Sequence, residues 1–182
     1  MMPARYAALA AALVLGACST PTASGELPGA VPDGVTFHSP APDVPAAPSF
    51  ELELIDGRTL DLTEQWAERP VVLTFFETWC TRCQDQQAGI NGVADEYRDV
   101  VLFLGIAGLS DPEDVAAYVS EHQISYPVGI DPDGRSWLQY AVAEPPLVAL
   151  ISKDGRLIRG WPDGVTEDGL REAIAQYAVA SR

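Results

Sequence analysis

The sequence predicts an α/β protein, a three-layer sandwich with a central mixed sheet and an N-terminal β-hairpin. Two observations carry this. Val71 to Phe76 is a continuous run of apolar and β-branched residues and Val100 to Ile106 a second such run, the pattern of strands buried on both faces and alternating with helices. Asp56-Gly57 and Asp154-Gly155 each separate two short strand-like runs, which is the signature of a hairpin. The 182 residues and 47% hydrophobic content give one domain of ordinary size plus appendages.

Taken in order, Phe50 to Leu54 and Thr59 to Leu62 form the leading hairpin, and Thr63 to Glu68 a short helix with Trp66 turned inward. After the strand Val71 to Phe76, a helix is expected from about Thr81 to Tyr97. After the strand Val100 to Ile106, Ser110-Asp111-Pro112-Glu113 reads as a capping box opening a helix through His122. Tyr126 to Ile130 is a third strand, followed by the turn Asp131 to Gly134 and a short helix around Trp137 to Tyr140. Leu147 to Ile151 and Arg156 to Gly160 make a closing hairpin, and a helix from about Glu167 to Ala178 ends the chain. The succession βαβαβ and then ββα predicts that the last hairpin strand is antiparallel.

Upstream of this domain, expected over residues 49–182, the sequence changes character. Arg5 precedes the apolar run Ala7 to Leu15 and the small residues Gly16 and Ala17, the pattern of an export signal over residues 1–17 and too short to span a bilayer. Leu15-Gly16-Ala17-Cys18 resembles the bacterial lipobox, which implies that Cys18 is acylated and becomes the N-terminus. Ser19 to Pro48 holds seven prolines in thirty residues and few large apolar side chains. That composition predicts a disordered tether over residues 18–48. The formal charge of -15 argues against nucleic acid as a partner, and it leaves acyl chains rather than basic side chains to bind the bilayer.

The sharpest motif is Trp79-Cys80-Thr81-Arg82-Cys83, directly after a buried strand and at the start of a helix. There the unpaired backbone N–H groups and the helix dipole favour a thiolate, making Cys80 the exposed nucleophile. Cys83, one turn deeper, can approach the first sulfur. A zinc site would need two further ligands, and Cys18, His38 and His122 are widely scattered. A purely structural disulfide would close a very short loop and restrain the unfolded chain least. Redox chemistry fits best, with no metal and no cofactor expected.

These residues resemble the thioredoxin superfamily, and within it the exported TlpA/ResA/DsbE-like thiol:disulfide oxidoreductases. The resemblance covers almost all of Ser49 to Arg182, including Ser125-Tyr126-Pro127, Asp131-Pro132-Asp133-Gly134 and Pro145-Pro146-Leu147. It implies a thioredoxin-like sandwich in which Cys80 attacks, Cys83 resolves, and Pro146, with a cis peptide bond, shapes the loop that receives the substrate. Three features depart from the family pattern. Pro145 has no N–H to offer a peptide; Thr74 and Gln86 stand where relatives carry acids; and the dipeptide Thr81-Arg82 is neither Gly-Pro nor Pro-His. Glu77, Asp85 and Glu144 are the nearby carboxylates that could substitute. Arg82 should stabilise the Cys80 thiolate and make the disulfide more oxidising than thioredoxin's value of about -270 mV, with Glu77 pushing the other way.

The function expected is that of an extracytoplasmic oxidoreductase, lipid-anchored to a bacterial membrane and monomeric. Its partners would be exported proteins with cysteine pairs, in cytochrome c maturation or oxidative folding, and a membrane redox partner that recycles the disulfide. The alternative is a copper-handling or metal-centre assembly protein using the same dithiol as a soft-metal ligand pair.

Overall fold

The computed structural model describes residues 25–181; the expected export signal over residues 1–17 and the expected lipidation site Cys18 lie outside the described residues. The chain runs β1 (Thr36–Phe37), β2 (Glu51–Leu54), β3 (Thr59–Asp61), α1 (Leu62–Glu68), β4 (Val71–Phe76), α2 (Thr81–Tyr97), β5 (Leu102–Ala107) and α3 (Pro112–Glu121). It continues with β6 (Val128–Ile130), α4 (Arg135–Gln139), β7 (Leu147–Ile151), β8 (Leu157–Trp161), α5 (Glu167–Tyr177) and β9 (Val179–Ser181). Seven strands form one mixed sheet in the order β3-β2-β6-β5-β4-β7-β8. β4, β5 and β6 are parallel, whereas the β2–β3 hairpin and β7–β8 pair antiparallel at either edge.

The central strands are apolar except for Thr74 in β4, because both faces are covered. Along β4, Val72 and Phe76 point into a core with Ile90 and Val93 of α2, Val115 and Val119 of α3, and Leu170 and Ile174 of α5. Val71, Leu73 and Phe75 point the other way, onto Leu62 of α1 and Tyr140 beyond α4. The two-residue period of the strand thus feeds two cores with one sequence run.

Three expectations change. First, residues 25–48 are not a free tether. β1 pairs with β9, Ala46 bridges to Arg156, and Leu27 packs on the second core. The Gly25 carbonyl accepts from Arg58 Nη2 at 3.2 Å and the Gly29 carbonyl from Arg69 Nη2 at 2.6 Å. Arg69 is buried and also donates to the Asp99 carbonyl at 3.1 Å. Backbone carbonyls and a few apolar contacts hold a segment that is poor in large side chains. Second, Ser110 does not cap α3: Asp111 is the N-cap, without a side-chain cap bond, and Pro112 opens the helix. Third, β5 starts at Leu102, because the N–H groups of Val100 and Val101 still bond back to the Tyr97 carbonyl at the end of α2.

Candidate active site

β4 ends at Phe76, and the next four residues turn into α2, whose N-cap is Cys80. Its Sγ accepts the Cys83 backbone N–H at 3.1 Å, and the Cys80 N–H bonds the Glu77 carbonyl at 3.1 Å. A cysteine in this place does what a serine or aspartate cap does, presenting an acceptor to the orphan donors of the first turn. Cys80 and Cys83 are joined in a disulfide with Cα atoms 5.2 Å apart. Cys83 is wholly covered, and Cys80 is 6% exposed. Cys80 is thus not the exposed residue the sequence predicts, since both cysteines are buried in the oxidised pair, but it is the one of the two that lines a cleft.

Trp79, Cys80, Thr81, Arg82, Glu144 and Pro145 line one open cleft. Trp79 stands 66% exposed beside the disulfide. The Pro145–Pro146 peptide bond is cis, and Pro146 lies under the loop after β8, where a Cβ on Gly164 would come within 3.0 Å of Pro146 Cγ. Gly164 has φ 86°, and it is boxed further by Gln86, whose Oε1 accepts the Val165 N–H at 3.0 Å. Gln86 thus ties α2 to that loop.

Arg82 is not a free cation. Its Nη1 lies 3.2 Å from Asp163 Oδ1, its Nη2 donates to the Pro145 carbonyl at 3.3 Å, and Glu144 stands 4.0 Å away. The guanidinium bridges the motif to both flanking loops with its charge largely compensated. Asp163 was not foreseen; its only sequence signal is the turn Pro162-Asp163-Gly164.

Glu77 departs most from expectation. It lies outside the cleft, 1% exposed, as a loop anchor. Its Oε1 accepts the Gly108 and Leu109 N–H groups at 3.2 and 2.6 Å, and its Oε2 accepts the Ser110 hydroxyl at 2.5 Å. Ser110 Oγ also accepts the Thr78 N–H at 3.1 Å. Three donors in one loop satisfy a buried carboxylate, as its burial requires. Thr74 is buried in β4, Asp85 is exposed on α2, and the Glu144 side chain is solvated. Beneath the motif, Gln87 Nε2 donates to the Tyr126 hydroxyl at 2.7 Å, a link that sequence reasoning missed.

The AhpC/TSA family model matches residues 45–159. The chain belongs to the AhpC/TSA family. Within it, the chain is 29% identical over 130 residues to the thiol-disulfide oxidoreductase ResA of Bacillus thuringiensis subsp. konkukian, a stretch covering 70% of this chain and 74% of the relative. Its fold matches that of a secreted Mycobacterium tuberculosis disulfide oxidoreductase homologous to E. coli DsbE, with TM-score 0.63 and 25% identity over 69% of this chain and 94% of the other. It also matches the fold of the exposed lipoprotein thioredoxin of Streptococcus pneumoniae, with TM-score 0.63 and 24% identity over 71% of this chain and 99% of the other. This AhpC/TSA member is a thioredoxin-superfamily thiol:disulfide oxidoreductase.

Proposed function

We propose that the protein exchanges its Cys80–Cys83 pair with cysteine pairs of exported proteins, at the outer face of a bacterial membrane to which Cys18 anchors it. The observation that carries the chemistry is the Cys80–Cys83 disulfide at the α2 terminus, with Cys80 Sγ accepting the Cys83 N–H. In the reducing direction, the Cys80 thiolate attacks a client disulfide and expels one client thiolate. The Cys83 thiolate then attacks Cys80 Sγ, expels the second client thiolate and closes the Cys80–Cys83 disulfide, so that two electrons and two protons pass to the client. The oxidising direction is the reverse. Pro146 shapes the wall beside the attacked sulfur, and Trp79, Thr81, Arg82 and Pro145 form the surface a client meets.

The anchoring reading is supported by the run Ala7 to Leu15 ending at Gly16-Ala17-Cys18, and by one fold neighbour being an exposed lipoprotein. In this reading residues 1–17 are removed, and the functional unit is the strap of residues 25–48 together with the domain. Cys83→Ser tests the exchange. The variant should accumulate mixed disulfides through Cys80 that a thiol reductant dissolves; a variant that captures no client overturns the mechanism. The redox state of the pair in cells gives the direction, mostly reduced for a reductase and mostly disulfide for an oxidase.

A further inference from the structure

The strap meets the domain at the end of the fold remote from the disulfide. Cys80 is the N-cap of α2, a helix of 17 residues and so about 25 Å long. Residues 26–29 lie against the other end of that helix, sharing a cavity with Ala94 and Arg98. Two further contacts fix the same pole. The Gly29 carbonyl is held by Arg69, just before β4, whose other nitrogen holds the carbonyl of Asp99, just before β5. Gly25 packs on the Tyr126–Pro127 peptide, just before β6, so closely that no side chain would fit, and Arg58 secures its carbonyl. β4, β5 and β6 are parallel, so these points all lie toward the strands' N-terminal ends, whereas Cys80 follows the C-terminal end of β4. The six residues of β4 span about 20 Å.

We infer that the strap holds the lipid-bearing terminus at the pole opposite the disulfide, so that the Cys80–Cys83 face is carried away from the bilayer and serves cysteines that project well above it. This rests on the reading of Cys18 as the anchor. Seven peptide steps join Cys18 to Gly25. Fully stretched they reach at most about 25 Å. Turning the disulfide onto the membrane would use nearly all of that limit. A free tether of thirty residues would impose no such bias. A recycling partner in the same membrane must therefore lift its own cysteines about 20 Å above the lipid, and soluble clients meet the site unobstructed.

The cysteine inventory makes this testable whether or not the cell acylates the chain. In the oxidised chain beginning at Cys18, that residue is the only free thiol, so it can be coupled to a maleimide headgroup in neutral phosphatidylcholine vesicles. After residual maleimide is quenched, a dithiol is offered in solution, or on a lipid headgroup of the same leaflet, and reduction of Cys80–Cys83 is followed. The soluble dithiol should act on coupled and uncoupled protein at rates within about twofold. The headgroup dithiol should act at least about tenfold more slowly on the native-length chain than on one with twenty Gly/Ser residues inserted between residues 24 and 25. Equal headgroup rates for the two chains overturn the inference. The mass of the N-terminal peptide from cells is a separate measurement: an unacylated Cys18 removes the anchoring reading and leaves the polarity of the fold as tested.

Discussion

The Glu77 carboxylate receives the Leu109 backbone N–H at 2.6 Å, which joins the turn that delivers Cys80 to the loop leaving β5. The two loops behave as one unit because Gly108 and Ser110 share the same carboxylate. Glu77→Ala would leave those buried donors without partners and should cost about 3 kcal/mol in urea unfolding. Gly108→Ala tests the same junction from the other side. Its Cβ would lie 2.8 Å from both Glu77 Oε1 and Trp137 Cε2, so a loss of about 1–3 kcal/mol is expected. Wild-type stability in both variants would show that the loops are independent.

Compensation of Arg82 by Asp163 predicts a muted electrostatic effect on the disulfide. Both side chains are largely exposed, where such pairs contribute about 0–1 kcal/mol. Arg82→Ala should make the disulfide more reducing, since a cation favours the thiolate, but by less than about 30 mV. Asp163→Asn should move it the opposite way by releasing that cation. Equilibration with glutathione at fixed pH measures both, and a shift beyond about 60 mV for Arg82→Ala would mean the charge acts unshielded.

Burial pushes the Tyr126 hydroxyl up to about 12, with hydrogen bonds from Gln87 and Thr74 opposing, and burial also raises Tyr118 and Tyr140. A raised pKa in the folded state means that the unfolded chain loses its proton first as pH rises. The stability these groups contribute is complete below about 10, the ordinary tyrosine value. For Tyr126 it falls by about 1.4 kcal/mol per pH unit from there to about 12. Alkaline titration should show the tyrosinate absorbance of these three residues appearing together with loss of fold, not before it.

Docking of residues 25–48 predicts that the strap contributes to stability. A chain beginning at Ser49 loses the β1–β9 pairing, the Leu27 and Phe37 contacts and the Gly25 and Gly29 carbonyls that Arg58 and Arg69 hold. It should unfold at least about 2 kcal/mol more easily than one beginning at Cys18. Equal urea midpoints would restore the picture of a loose tether.

What could be read from the sequence was what chain-local physics writes into it. α2 has the expected bounds Thr81–Tyr97, because a buried strand, a cap and a long polar-apolar stretch stand next to one another. β4 was legible as a continuous apolar and β-branched run, and β7 as the first arm of a hairpin turning at Asp154-Gly155. The strap was not, since its holding groups are backbone carbonyls, and Arg58 and Arg69 look like any surface cations until the chain folds. Ser110 illustrates the same limit. Its spacing to Glu113 satisfies a local pattern, yet the hydroxyl is claimed by Glu77, more than thirty residues away in the chain. The cluster around the disulfide was legible for residues adjoining the motif, while Asp163 reaches it only through the turn after β8.

The pairing of β1 with β9 sets the order of events when the chain is made. Thr36 meets Ser181 across 145 residues of sequence, so an emerging polypeptide has the first strand in hand long before its partner exists. The sheet around Cys80 can assemble while that clasp is still open, and the clasp shuts only once β9 has been made. Because long-range pairings of this kind form slowly, closing the clasp should come late in folding, after the strand and helix that carry the reactive pair are already in place.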